Sequence, residues 1–185
     1  IVVLLGLFAI SQAFVLLVER DSQPDETHVA SGVFRGLKEV FKFKRVATTS
    51  SAFGVLMGII PGVGEFLAQY FSYSLAQKMS KTPEQFGHGA PEGVIASEAA
   101  NNAVPAAAMV PLLALGIPGE ALTAMMLSVF YVHNIIPGPA LFNTRPEFLV
   151  SPYACLFIVN VLILIFLLLS TNAITKIIRI PTRLL

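Results

Sequence analysis

Charged residues are scarce in this sequence. Asp, Glu, Lys and Arg make up 12% of its 185 residues, whereas a soluble globular domain carries about 25%. Hydrophobic residues account for 55%, and the mean hydropathy is +0.76. This balance excludes an ordinary soluble domain. It predicts an all-α polytopic membrane protein, because helices satisfy their own backbone hydrogen bonds in lipid.

The groups that would indicate an enzyme or a metal protein are also few. The net charge is +1, which gives no reason to expect a nucleic-acid partner. Cys155 is the single cysteine, so no internal disulfide can form, and no metal-ligand spacing surrounds it. His88 and His133 are isolated, and no Ser/His/Asp spacing is present. We therefore predict no catalytic residues, no enzymatic activity and no cofactor.

The first 45 residues divide into an apolar run, a polar loop and an amphipathic stretch. Residues 1–18 are long enough to form a transmembrane helix or most of one. They begin without Met or a basic segment, so we expect part of a longer polypeptide here rather than a signal peptide. Residues 31–45 place apolar and basic side chains on opposite helical faces, which predicts a helix in the membrane interface. The alternative is an ordinary packing helix in a loop.

Residues 46–77 are apolar but interrupted at 61–64, and each half is too short to cross a bilayer of about 30 Å. Basic residues flank both ends, and the positive-inside rule then places both ends in the cytoplasm. We therefore predict a re-entrant hairpin over 46–77. Gly54 and Gly58 form a GxxxG pattern that allows close helix packing. The flanking basic residues are Lys42, Lys44, Arg45, Lys78 and Lys81.

A second interruption lies in the region 93–135. A helix of small residues begins at Gly93, and two half-helices over 103–115 and 119–135 then surround the break at Gly116–Gly119. Together the two half-helices are long enough to cross the membrane once, as a broken transmembrane helix.

The chain ends with a second clear transmembrane segment. Residues 152–171 are apolar, and the Pro-rich stretch 136–150 before them predicts a rigid loop with one basic residue. The basic residues Lys176, Arg179 and Arg183 follow the segment. The positive-inside rule then places 136–150 outside, and both 19–45 and the C-terminus in the cytoplasm.

Each interruption is followed by a carboxylate, Glu65 after the first and Glu120 after the second. A broken helix exposes N–H groups that attract anions and carbonyl groups that can bind a cation. Secondary transporters use such breaks in pairs near the bilayer midplane. We therefore expect an anionic substrate to contact the break glycines, Gly62, Gly64, Gly116 and Gly119.

Two interpretations of Glu65 and Glu120 remain open from the sequence. Each carboxylate could cap the helix that follows its break, where negative charge is favourable. Alternatively, the pair holds a coupling sodium ion or carries a proton, since a carboxylate at membrane depth is a functional hypothesis by default.

A polar patch lies in the small-residue helix. Glu98 and Asn102 share a helical face, and Asn101 lies beside them. Amide oxygens are good sodium ligands, so Asn101 and Asn102 could form a sodium site with Glu65 and Glu120. Hydrogen bonding between helices is the alternative.

Two sequence blocks, EGVIASEAANNA and LGIPG, are the most specific of five that occur in a fixed order. In that order the five blocks resemble the large membrane subunit of the tripartite tricarboxylate transporter family. Glu65 and Glu120 stand at positions where small residues are frequent in that family, so the resemblance does not fix the substrate. The matching blocks lie at 58–64, 80–89, 92–103, 111–119 and 137–142.

The resemblance implies a multi-pass subunit of the bacterial inner membrane. Such a subunit would work with a periplasmic solute-binding protein and a small membrane subunit, and would take up tricarboxylates or related carboxylates with a sodium or proton gradient. Two functions are alternatives to a transporter subunit: a passive channel or structural membrane subunit, and an intramembrane acid protease. The protease is disfavoured because Gly62–Glu65 carries Glu where the GxGD motif has Asp.

Overall fold

The structure, a computed structural model, describes residues 6, 10, 11, 14 and 33–178, and the side chains of 33–35, 37 and 172–178 fall outside that description. Residues 6, 10, 11 and 14 are helical and belong to a separate compact unit. Most of the predicted transmembrane helix over 1–18 lies outside the described residues. The same holds for the loop that follows it and for the basic residues Arg179 and Arg183.

All regular secondary structure in the described part of the chain is helical, as the composition predicts. One 3-10 turn, Pro83–Gln85, lies between the third and fourth α-helices. The α-helices are α1 (Val33–Lys42), α2 (Lys44–Ile59), α3 (Gly64–Met79), α4 (Pro91–Leu115), α5 (Ala121–Val132), α6 (Leu141–Thr144) and α7 (Pro146–Ile178).

Helices α2 and α3 form a helical hairpin that packs along α4. Near the start of α4, Ala96 packs with Ala76 from the end of α3 and with Val46 from the start of α2. Further along α4, Val104 packs with Ala68 from the early part of α3 and with Met57 from the end of α2. The open ends of the hairpin therefore lie together, and the chain reverses direction between them.

Small residues allow this close approach. A Cβ atom added to Gly54 would overlap the carbonyl oxygen of Ala100 and would lie 2.8 Å from its Cα atom. A Cβ atom on Gly58 would lie 2.7 Å from the Cβ atom of Ala107. The predicted GxxxG pair is therefore the surface on which α2 meets α4. On α3 the hydroxyl of Ser72 donates to the Ala96 carbonyl at 3.1 Å.

The sequence predicts a small-residue helix from Gly93 to Ala108 and an overlapping half-helix over 103–115. In the structure both belong to α4, one continuous helix of 25 residues with Pro105 and Pro111 inside it. Each proline removes one backbone donor without ending the helix, a cost that tightly packed neighbouring helices can offset. The helix ends at Gly116, whose left-handed φ of 71° favours glycine and whose N–H donates to Leu112 at 2.9 Å.

Helix α5 follows the second break. Gly119, just before α5, lies beside Ala108, and the N–H of Gly138, six residues after α5, donates to the Leu113 carbonyl at 3.0 Å. Both flanks of α5 therefore lie beside the last two turns of α4. The apolar core beside these turns contains Met109, Leu112, Leu113, Phe130 and Leu141.

Helix α7 begins earlier than the predicted segment 152–171. It starts at Pro146, a favoured first residue of a helix, so the predicted loop over 136–150 instead holds α6 and the first turn of α7. Within the described residues, Pro146–Thr171 is the one helix long and apolar enough to cross a membrane, and Ala121–Val132 is a shorter apolar helix.

The amphipathic stretch predicted over 31–45 is described from Val33 onward, where it is helical but divided. Helix α1 covers Val33–Lys42, Phe43 is a turn, and α2 begins at Lys44. The side chain of Phe41 is 76% exposed, so the fold does not bury it.

Candidate functional site at the two helix breaks

The two breaks meet. The N–H of Gly62, in the first break, donates to the carbonyl of Gly119, in the second, at 2.8 Å. A Cβ atom on Gly119 would lie 3.8 Å from both the Gly58 carbonyl oxygen and the Pro61 Cα atom. Residues that lie 57 positions apart in the sequence thus form one junction at the closed end of the hairpin.

The first break owes its shape to its glycines. Helix α2 ends at Ile59, and Ile60 has an extended backbone. Gly62 and Gly64 then adopt left-handed φ angles of 86° and 71°, which cost an L-residue about 1–2 kcal/mol each. Helix α3 begins at once, with Glu65 in its first turn. The sequence Pro-Gly-x-Gly therefore reverses the chain within four residues.

The second break places Glu120 at the N-cap of α5. The N–H of Glu120 donates to the hydroxyl oxygen of Thr123 at 3.0 Å, and that hydroxyl donates to the Glu120 carbonyl at 2.9 Å. Thr123 is buried. The carboxylate atom Oε1 of Glu120 is buried without a hydrogen-bond partner. The hydrogen bonds between the Thr123 hydroxyl and the Glu120 backbone thus fix the position of Glu120. Its carboxylate atom Oε1 has no hydrogen-bond partner inside the protein.

Glu65 and Glu120 belong to the same junction, each at the start of the helix that follows its break. Both side chains are half-buried, so solvent shields their repulsion less than it would at an open surface. Each residue occupies the helix start that the cap interpretation requires. Two carboxylates that repel each other at one junction are also a favourable place for a proton or a monovalent cation.

The predicted polar patch is divided between two places. Asn101 accepts a hydrogen bond from the Gln69 side chain at 2.8 Å, and Gln69 lies one helical turn after Glu65. Glu98 and Asn102 are exposed, and the Asn102 amide donates to the Glu98 carbonyl of its own helix at 2.8 Å. The structure therefore brings Asn101 within one turn of the junction but not Glu98 or Asn102.

Gly64 and Gly116, two other predicted site residues, also lie in different places. Gly64 lies beside the junction, at the start of α3. Gly116 lies away from it, and a Cβ atom there would be 3.0 Å from the Pro137 carbonyl oxygen. The described residues contain no cluster of three or more His, Cys, Asp or Glu side chains that could hold a metal ion.

Sequence reasoning did not identify Gln69 as a functional candidate. The signal was nevertheless present, because Ala68, Ser72 and Ala76 recur every four residues and mark the buried face of α3. Gln69 lies at the edge of that face and is half-buried. A half-buried amide beside a stripe of small residues predicts a hydrogen bond to a neighbouring helix.

Interrupted helical segments that meet at one junction, with carboxylates beside it, are typical of secondary transporters. Comparison with known families supports this class. The whole chain, residues 1–185, matches the model of the Tripartite tricarboxylate transporter TctA family. The chain belongs to that family. Because this is a transporter family, the nearby carboxylates Glu65 and Glu120 are poor candidates for an acid-protease dyad.

Two relatives from Agrobacterium vitis are similar to this chain. One, an uncharacterized 52.8 kDa protein in the TAR-I ttuC' 3' region, is 32% identical over 180 residues, which cover 97% of this chain and 36% of the relative. The other, an uncharacterized protein in the TAR-II ttuC' 3' region, is 39% identical over 132 residues, covering 71% and 54%. The chain thus spans about a third to a half of these relatives. No solved structure matches the chain.

Proposed function

We propose that this chain is part of the membrane subunit of a secondary transporter. That subunit takes up tricarboxylates or related carboxylates, uses a sodium or proton gradient, and receives its solute from a periplasmic binding protein. A small membrane subunit completes the transporter in the bacterial inner membrane. Family membership supports the class, and the contact between the two breaks supports the mechanism.

The observation that carries the proposal is the hydrogen bond from Gly62 to Gly119. A break inside a membrane protein is tolerated where its backbone groups face protein or a water-filled cavity. Here each break lies against the other, so a movement of one segment displaces the other. Coupled displacement of two segments around a shared site is the requirement of alternating access.

The charges at the junction suggest that the substrate and the coupling ion bind to different groups. Ionised Glu65 and Glu120 would repel a carboxylate placed beside them. A proton or a sodium ion that neutralises this pair removes the repulsion, and the substrate can then approach the N–H groups of Gly64 and Gly119, since those of Gly62 and Gly116 already donate to backbone carbonyls. Ion binding in this scheme precedes or accompanies substrate binding, and the ion gradient drives uptake.

The hairpin of α2 and α3 fits the re-entrant topology. Its open ends lie together, as the packing of Val46 and Ala76 against Ala96 requires. Each arm has 16 residues, or about 24 Å of helix, which is less than the hydrocarbon thickness. The junction would then lie inside the membrane, with the open ends at the cytoplasmic side.

Uptake measurements test the proposal. Cells that express the complete transporter are supplied with labelled citrate and other carboxylates, while sodium and proton gradients are imposed separately. Accumulation that requires both the binding protein and one of the two gradients is expected. Equilibration without accumulation, whichever gradient is present, would instead identify a passive channel. Unchanged uptake without the binding protein would refute the tripartite arrangement.

A further inference from the structure

The open end of the hairpin carries a concentration of positive charge drawn from two distant parts of the sequence. Val46, in the first turn of α2, packs in one cluster with Ala76, near the end of α3. This packing brings the basic residues before and at the start of α2 to the same end as those at and just after the end of α3. We call this end the basic end; its described basic side chains are Lys38, Lys42, Lys44, Arg45, Lys78 and Lys81.

Internal ion pairs do not neutralise these charges. Within the described part of the chain, none of the six basic side chains is joined to a carboxylate by an ion pair. Lys42 instead lies over the ring of Phe43, at 5.4 Å from its centroid. The described acidic side chains at this end are Glu39, Glu84 and Glu92, and Glu92 accepts a hydrogen bond from Ser80. Among the described side chains, positive charge therefore exceeds negative charge at the basic end.

The opposite, closed end of the hairpin has the reverse charge. It carries Glu65 and Glu120 at the junction of the breaks. The long axis of the hairpin thus runs from a basic open end to an acidic closed end. A bilayer leaflet rich in anionic lipid attracts the first end and repels the second.

Helix α1 adds an uncovered apolar surface to the basic end. Phe41 is 76% exposed and Val40 is 42% exposed, while Lys38 and Lys42 are exposed on the same helix. An amphipathic helix of this kind buries its apolar side chains at the boundary between headgroups and acyl chains. Its lysines then remain at the depth of the lipid phosphates.

We propose that the basic end and α1 dock on the anionic phospholipid headgroups of one bilayer leaflet. The occupant follows from charge complementarity, because clusters of four to eight basic residues on an amphipathic helix beside the membrane bind acidic lipids. Acidic lipid then draws α1 into the interface and holds the open end of the hairpin at that leaflet. The proposal requires neither a particular substrate nor a particular coupling ion.

Spin labelling in nanodiscs tests the proposal on the intact chain. Gly36 of α1 is exposed, and a Cβ atom there meets nothing within 4 Å, so Gly36→Cys in a Cys155→Ser background provides a single label site. Nitroxide accessibility to oxygen and to a nickel chelate is compared in phosphatidylcholine with and without phosphatidylglycerol. We expect deeper immersion with phosphatidylglycerol, and reversal of that change by salt, which screens surface charge.

The native cysteine supplies the control position. Cys155 is exposed on α7, within the segment long and apolar enough to span, so a label there should keep its depth in both lipids. Equal immersion of the Gly36 site in both lipids would overturn the proposal. The exposed apolar surface of α1 would then be a docking surface for a protein partner. An equal shift at Cys155 would also overturn it, because the lipid would then be moving the whole chain.

Charge variants assign the effect to the basic end. At a fixed phosphatidylglycerol fraction, Lys42→Gln with Lys44→Gln should lower the equilibrium constant for immersion of the Gly36 site by about fivefold per lysine, since each contributes about 1 kcal/mol near an anionic surface. Lys42→Arg with Lys44→Arg should behave like the parent protein. Arg145→Gln, a charge change beyond the basic end, should also have no effect. Loss of lipid selectivity in either of these two variants would refute the assignment.

Discussion

Replacement of Gly54 by alanine tests the contact on which the hairpin depends. The added methyl group would overlap the Ala100 carbonyl oxygen and lie 2.8 Å from the Ala100 Cα atom. Carbon atoms pack best at about 3.5–4.0 Å, so α2 and α4 must separate by about 0.7 Å or more. The blocking atoms belong to the backbone, and no rotamer change can relieve the overlap.

The expected cost of Gly54→Ala is about 1–3 kcal/mol of unfolding free energy, the range for overpacked cores. The higher helix propensity of alanine offsets about 1 kcal/mol of it. Gly36→Ala is the matched control, because a Cβ atom at that helical glycine meets nothing within 4 Å, and it should be neutral or slightly stabilising.

The measurement is thermal unfolding of the purified protein in detergent, followed by far-ultraviolet circular dichroism because the chain contains no tryptophan. A companion variant sharpens the test. Gly58→Ala would bring its methyl group 2.7 Å from the Cβ atom of Ala107, so Ala107→Gly should partly rescue it, whereas Ala100→Gly should not rescue Gly54→Ala. Equal stability of Gly54→Ala and Gly36→Ala would refute this account of the α2–α4 contact.

Three further tests probe the junction and its surroundings. Thr123→Val removes the hydroxyl that is hydrogen-bonded to both the N–H and the carbonyl of Glu120, the N-cap residue of α5. It should lower the free energy of unfolding by about 1–2 kcal/mol in the same assay. Thr123→Ser keeps the hydroxyl, so an equally large loss in that variant would contradict this role of the hydroxyl. A double-mutant cycle with Gln69→Leu and Asn101→Leu should give a coupling energy of about 0.6 kcal/mol, the average for membrane hydrogen bonds, and a coupling of zero would show that the pair contributes nothing. Gly62→Ala forces a left-handed φ of 86° on an L-residue and should cost about 1–2 kcal/mol; stability equal to that of Gly36→Ala would show that the break relaxes freely.

The two helix breaks could be predicted from the sequence because their cause is local. Pro61 and the glycines after it interrupt an apolar run, and Gly116 with Pro118 does the same. The structure places helix ends at Ile59 and Leu115, close to these positions. The all-helical fold and the GxxxG contact likewise followed from composition and spacing.

The start of α7 was missed because the effect of a proline depends on tertiary context. Pro105 and Pro111 lie inside α4, where packed neighbouring helices keep the helix continuous. Pro146 begins α7 although it was assigned to a loop. A sequence window cannot distinguish a proline that starts a helix from one that ends a segment without knowing what packs beside it.

Contacts between distant residues could not be derived from spacing. The hydrogen bond between Gly62 and Gly119 and that between Gln69 and Asn101 join different helices. Their geometry depends on how α3 and α5 lie against α4. The same limit applies to Glu98 and Asn102, whose polar character suggested a site, although the structure leaves them exposed on α4.

The cation dependence of uptake in carboxylate variants is the most direct test of the central claim, that Glu65 and Glu120 at the junction carry the coupling ion. Glu65→Gln and Glu120→Gln keep side-chain size and remove the charge. Glu84→Gln, an exposed change in the 3-10 turn, is the control. Uptake of labelled carboxylate by the complete transporter should fall at least about tenfold, or lose its dependence on the coupling ion, in the first two variants and stay unchanged in the third. Undiminished uptake with unchanged cation dependence in both junction variants would contradict the claim.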